Sequence, residues 1–422
     1  METLSAKYED LYHNELAALP KEHRKDFEDI YKIRWDNIKK VFDDKEIYTG
    51  ATSQQFLDAM VAEIVKANPA LQPLHFNCYF SRSGIPNASY IGEGIILFNM
   101  GLFDRLDNES QAAFVLCHEI SHFYLQHPDK TIRRYVDAVN SKEVQEKLQK
   151  IKTSEYGKRP QVDSLLKNLT FDFRRHGRDH ESQADSMAVE LMSHTRFDVA
   201  ESLTTLSLLD SIDVETMNMD SCLRATFDSK EYPFQKKWLK KETGLLGGHA
   251  QIHDEEEMAD SLKTHPDCKQ RIAILGPLVN KYRSAIKLKN VIDSSTFANL
   301  KNLFQYETIE FSYASGNYTK SLYYTLDLLQ HKPGDPYLIA HTGKIFNSFY
   351  EAQKSHTLGK MIDLPSPYQP ENYNLLLQFV QNLYLEDYSA ISYYYLKQFT
   401  IRLSAYPPFM SAFKTSKQIT QL

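Results

Sequence analysis

The feature that most constrains this chain is His118-Glu119-Ile120-Ser121-His122, which follows the apolar run Ala112-Ala113-Phe114-Val115-Leu116-Cys117. The run predicts a buried helix, and residues four apart on a helix stand one above the other, so both imidazoles face one point in space. Two converging imidazoles suit a transition metal, zinc above all. A carboxylate one residue after the first of them is placed beside that metal as a proton acceptor. Such a helix cannot stand alone. It must be buried against a second element that brings a third ligand, because a hydrolytic zinc keeps three protein ligands and one open position.

Candidates for that ligand are several. The metzincin pattern would put glycine at position 125 and histidine at 128, but the chain has Leu125 and Pro128, so that class is excluded. His127 falls on the side of the helix opposite His118 and reads as a surface or packing residue. Glu181 is the better choice. Small and apolar residues at 184, 187, 188 and 191 recur with helical period, which predicts a second buried helix with Glu181 and Asp185 on one face. Ala184 between them permits close approach to a partner. On this reading Glu181 ligates the metal, and Asp185 accepts a hydrogen bond from the non-ligating nitrogen of a ligand histidine.

His118-Glu119-x-x-His122 with Glu181-x-x-Ala184-Asp185 resembles the zinc metallopeptidases that include the CAAX prenyl protease and HtpX. The likeness extends to Pro86-Asn87-Ala88, to the stretch from Gly94 to Leu102, to Asn108-Glu109, and to Thr264-His265-Pro266 with Arg271-Ile272. No run approaches the roughly 20 apolar residues of a spanning helix, so the resemblance is to a soluble branch, of the BepA type, with a helical-repeat tail. It implies a zincin-like domain holding one Zn²⁺ on His118, His122 and Glu181, with Glu119 as catalytic base. It also implies a substrate-binding edge at Asn87 and Ala88, and places His265 near the metal, as an oxyanion donor or as an occupant of the open position. Arg271 is expected to pair with a carboxylate such as Asp185. The implied activity is cleavage of proteins or peptides in cell-envelope quality control. A binding or chaperone module with a latent metal site is the rival reading.

The rest of the chain is organised around that centre. Residues 1–66 read as a charged helical brace, 67–290 as the peptidase domain and 291–422 as helical repeats: a mainly α fold with a small β-sheet. Phe76–Phe80 and Ile95–Phe98 are short strand candidates set among Gly84, Pro86, Gly92 and Gly94. The basic stretch from Lys130 to Arg178 reads as solvated helix faces, or as a flap over the cleft. Residues 244–260, rich in glycine and acid, read as a surface loop. In the tail, Tyr318 to Leu326 echoes Tyr388 to Leu396 at twice the tetratricopeptide period, with Pro365, Pro367 and Pro370 breaking the middle unit. Such an array offers a surface to a protein partner.

A net charge of −6 with 25% charged residues argues against a nucleic-acid partner and a polybasic membrane anchor. Cys78, Cys117, Cys222 and Cys268 form no C-x-x-C; Cys222 and Cys268 could bridge if the chain is extracytoplasmic. Residues 1 to 45 show no charged and apolar leader and taken alone indicate the cytoplasm. The resemblance implies the periplasm or envelope instead.

Overall fold

The computed structural model describes residues 2–153, 177–240, 268–284, 286–367 and 369–421. It is mainly helical with one three-stranded sheet, and it divides into two compact units. The first holds Met1–Asp210 and Asp267–Lys301; the second holds Ser211–Pro266 and Asn302–Leu422.

In the first unit, the stretch read as a brace holds two helices, α1 (Glu2–Ala18) and α2 (Arg24–Asp43). Phe27, Tyr31, Trp35, Ile38 and Phe42 recur every three or four residues, so α2 buries a single stripe. Tyr12 stacks on Trp35 at 5.3 Å. The same cluster takes in Ile95 and Leu97 of the sheet. Helix α3 (Ala51–Ala67) buries Phe56, Leu57, Met60 and Ile64.

The sheet comprises β1 (Asn77–Ser81), β2 (Ala88–Gly92) and β3 (Ile95–Asn99), in the order β1-β3-β2. Strand β3 runs parallel to β1 and antiparallel to β2. Ile95 to Phe98 are all buried, as expected of a central strand covered on both faces. Strand β2 lay outside the two strand candidates. It is joined to β3 by a turn in which Gly92, Glu93 and Gly94 have φ of 113°, 47° and 72°. Glu93 holds a left-handed conformation that costs a non-glycine residue energy, and Arg34 of α2 grips its carboxylate at 3.0 Å. Arg34 also pairs with Glu15 and, at 3.3 Å, with Asp129. The brace therefore clamps the turn of the hairpin whose outer strand flanks the histidine helix.

After α4 (Met100–Arg105) comes α5 (Glu109–Tyr124), buried without interruption from Glu109 to Ser121 and capped by Asn108, whose side chain accepts from Gln111 N–H at 3.1 Å. Helices α6 (His127–Asn140) and α7 (Lys142–Thr153) cover the basic stretch as far as Thr153. Both are amphipathic, with Val136, Val144 and Ile151 buried. Helix α8, residues 177–193, is the helix expected around Glu181 and Asp185, and α9 (Glu201–Ser211) follows.

The second unit begins where the sequence suggested the peptidase domain continued. Helix α10 (Met219–Phe227) and Trp238 bury Met219, Leu223, Phe227 and the indole in one core with Phe346, Phe349, Phe379 and Tyr388. The compact units thus run differently from a 67–290 and 291–422 division, because apolar side chains from 217–238 have their partners in the later helices. The chain returns to the first unit with α11 (Cys268–Tyr282). Helix α12 (Ser294–Ala314) belongs to the first unit up to Lys301 and to the second from Asn302. Then come α13 (Tyr318–His331), α14 (Pro336–Lys354), α15 (Glu371–Gln381), α16 (Leu385–Lys397) and α17 (Pro407–Ile419). Helix α14 packs against α13, α16 and α17. Gly343 lets Leu396 approach to the point where a Cβ would meet its side chain at 2.5 Å.

Cys78, Cys117, Cys222 and Cys268 are all buried, and none is in a disulfide. The bridge that Cys222 and Cys268 could form in an extracytoplasmic chain is not present. Among the described residues, no helix is long and apolar enough to cross a membrane.

Candidate metal centre

Helix α5 aims His118 and His122 at one point, with their Nε2 atoms 3.0 Å apart. Glu181, on the first turns of α8, closes the triangle: Oε2 is 3.4 Å from His118 Nε2, and Oε1 is 3.3 Å from His122 Nε2. A tetrahedral ion with ligands at about 2.0–2.1 Å has edges of roughly 3.3 Å. The three donors thus already stand at ligand spacing, and two nitrogens with one carboxylate are the donor set of a hydrolytic zinc. Among the described residues, no other group of three such side chains converges in this way.

Behind these donors lies a buried ionic layer. Asp185, 1% exposed, places Oδ1 2.9 Å from His118 Nδ1. Arg271 of α11 donates to both Asp185 oxygens at 2.7 Å and lies 3.5 Å from Glu181. Burial alone would lower the pKa of His118, but Asp185 and Glu181 outweigh it and raise it to about 10. Burial alone would raise Glu181 and Asp185; hydrogen bonds from the histidines and Arg271 hold both below the usual carboxylate range. The pocket is built for positive charge at its centre.

Glu119 is buried beside the histidines and accepts a hydrogen bond from Tyr90 N–H at 2.8 Å. Burial raises its pKa, and the charges of His118 and His122 offset part of that rise. Strand β2 is a sheet edge. Asn99 N–H donates to Asn87 C=O at 3.1 Å, which turns the backbone of Asn87 toward β3; by strand alternation, the backbone groups of Ala88 and Tyr90 turn away from it. So of the two expected substrate contacts, Ala88 presents its main chain outward and Asn87 spends its carbonyl on the sheet.

His127 departs from the expectation. It is 2% exposed, and its Nδ1 lies 3.0 Å from His122 Nδ1. The helical period that put it opposite His118 does not apply. The chain leaves α5 at Tyr124, turns through Gln126 at φ 56°, and starts a new helix at His127. His127-Pro128 carried a signal for this, since proline favours the first turn of a helix. Sequence reading also missed Tyr90 as the anchor of Glu119. That contact joins residues 29 apart through a backbone group, which leaves no trace in residue type. His265 and the whole loop 244–260 lie outside the described residues, as do 154–176 of the expected flap.

A family model described as peptidase family M48 matches residues 51–278, more than half of the chain. No curated protein matches it.

Proposed function

The chain belongs to peptidase family M48, and on that footing we propose that it is a zinc-dependent endopeptidase acting on extended segments of protein. The observation that carries this reading is the set of three donor atoms at tetrahedral spacing with the anchored carboxylate of Glu119 beside them. His118, His122 and Glu181 hold the ion, which when bound polarises the scissile carbonyl and acidifies water. Glu119 takes the proton from the attacking water and delivers it to the departing amine. Its bond from Tyr90 engages Oε2 and leaves Oε1 for that transfer. Burial brings its basicity closer to neutral pH, where a proton shuttle works best. Substrate backbone adds to the outward edge of β2 beside Ala88, in the manner of an extra strand.

The second unit recruits substrates or a protein partner, as the tetratricopeptide-like echo in the tail suggests. The resemblance to the BepA type favours protein quality control in the cell envelope.

The test is digestion of an unfolded protein such as casein by the purified, zinc-loaded chain. Fragments are expected, and chelator should abolish them until zinc is returned. Glu119→Gln should keep the metal and lose about 10²–10⁴ in rate. Casein binding without fragments would overturn the enzyme reading in favour of a binding module with a latent site.

A further inference from the structure

Each ligand histidine needs something behind it, and the two are backed by different chemistry. His118 has the Asp185 carboxylate 2.9 Å from its Nδ1. His122 has another imidazole: His127 Nδ1, at 3.0 Å from His122 Nδ1. Resting on the metallopeptidase reading above, we infer that His127 is a positioning residue that fixes the tautomer and ring plane of His122 and ties both ligand-bearing helices together.

The tautomers follow from the contacts. His122 directs Nε2 at Glu181 and His118, so as a ligand it carries its proton on Nδ1 and donates it to His127. His127 Nδ1 must then be bare and accept. Its own proton sits on Nε2, which faces Gln183 Oε1 at 3.3 Å. The chain of hydrogen bonds His122, His127, Gln183 runs in one direction and is complete with both imidazoles neutral. The His127 ring also stacks on His180, with centroids 4.2 Å apart and planes 6° from parallel. His180 precedes the third ligand by one residue and Gln183 follows it by two. One buried side chain therefore holds a ligand of α5 by a hydrogen bond and the start of α8 by stacking and a second hydrogen bond. A partner of this kind is worth about 10- to 100-fold in metal affinity.

The experiment compares His127→Phe, His127→Asn and His127→Gln in the full chain. Phenylalanine keeps a flat ring against His180 but offers no acceptor. The Asn oxygen reaches the place of Nδ1, whereas the longer Gln side chain does not present its oxygen there. Zinc dissociation constants are measured by competition with a chromophoric chelator, and the visible absorption of the Co²⁺ form reports ligand geometry. We expect zinc binding about 10- to 100-fold weaker in His127→Phe and His127→Gln, with an altered cobalt band. His127→Asn should stay within about threefold of the parent, short of that range. Equal zinc affinity in parent, Phe and Gln chains would overturn the inference and leave the metal site standing. If His127→Phe does not fold, the Asn and Gln variants still decide it, because equal affinity in those two refutes an acceptor role. A parent chain that binds no zinc, or binds it equally well as His118→Ala, would overturn the metallopeptidase reading itself and this inference with it.

Discussion

Arg271 grips Asp185 through two hydrogen bonds of 2.7 Å, from Nε to Oδ2 and from Nη2 to Oδ1. Both side chains are buried, and Oδ1 also faces His118. Removing one member of a buried pair leaves the other charge stranded, which costs about 3–5 kcal/mol. Arg271→Met should therefore lower unfolding stability in urea by about 3 kcal/mol. It should also weaken zinc binding by about tenfold, since Asp185 is no longer held against the ligand. Unaltered values for both would mean that the pair supports neither the fold nor the metal.

Glu109 makes a comparable junction at the other end of α5. Its carboxylate accepts the N–H groups of Val291 and Ile292 at 2.6 Å and of Asp293 at 2.8 Å. A carboxylate has the acceptor capacity for all three amides, and it also sits well at the N-terminus of its own helix. Glu109→Ala strands three backbone donors, each worth about 1 kcal/mol or more. A loss of roughly 3 kcal/mol is expected, seen as a lower melting temperature with normal zinc stoichiometry below it. A melt superimposable on the parent's would show that water replaces the carboxylate without cost.

How much of this was legible in the sequence depends on the range of the interaction. His118, Glu119 and His122 were readable because their geometry is fixed within one helix, and Glu181 and Asp185 because they share a helical face four residues apart. The strand at Ile95–Phe98 announced itself as an unbroken apolar run. His127 was misread since one residue with positive φ, Gln126, cancels the helical period. The hydrogen bond from Tyr90 to Glu119 uses a main-chain group that every residue but proline possesses. The burial of Phe227 and Trp238 in the core of the second unit rests on contacts with residues more than 100 positions later, such as Phe346 and Phe379. An aromatic residue in sequence raises the expectation of burial; it does not show against what.

Gly101 offers a test of the fold around the sheet. A Cβ there would stand 2.1 Å from the carbonyl oxygen of Gly84, while Gly101 N–H donates to Ser83 C=O at 3.0 Å. The obstacle is main chain and cannot swing aside. Gly101→Ala should cost about 3 kcal/mol, the upper part of the usual range for overpacking. It should also reduce casein cleavage, because the same loop leads into β2. Wild-type stability and activity in this variant would mean that the Ser83–Gly84 loop moves freely, against the close approach described.

His341 makes the stability of the second unit depend on pH. It is 2% exposed, with Nε2 2.9 Å from Ser321 Oγ and its ring stacked on Tyr337 at 5.3 Å. Burial, then the charge of Lys344, push its pKa down to about 3. Glu310 at 3.8 Å does not reverse this. An unfolded histidine titrates near 6.5. Above about pH 7 neither state binds the proton and there is no effect; between 6.5 and 3 the unfolded chain binds it and the folded chain does not, so stability falls as pH falls. At pH 5 the loss is about 2 kcal/mol, from roughly 1.5 units at 1.36 kcal/mol each. The two tryptophans make it measurable, since Trp35 lies in the first unit and Trp238 in the second. In a Trp35→Phe background, urea unfolding followed by Trp238 emission should shift to lower midpoint from pH 7 to pH 5. His341→Gln, which keeps a hydrogen-bonding partner for Ser321 but cannot titrate, should remove most of that shift. A shift of the same size in the His341→Gln chain would assign the pH dependence to other groups.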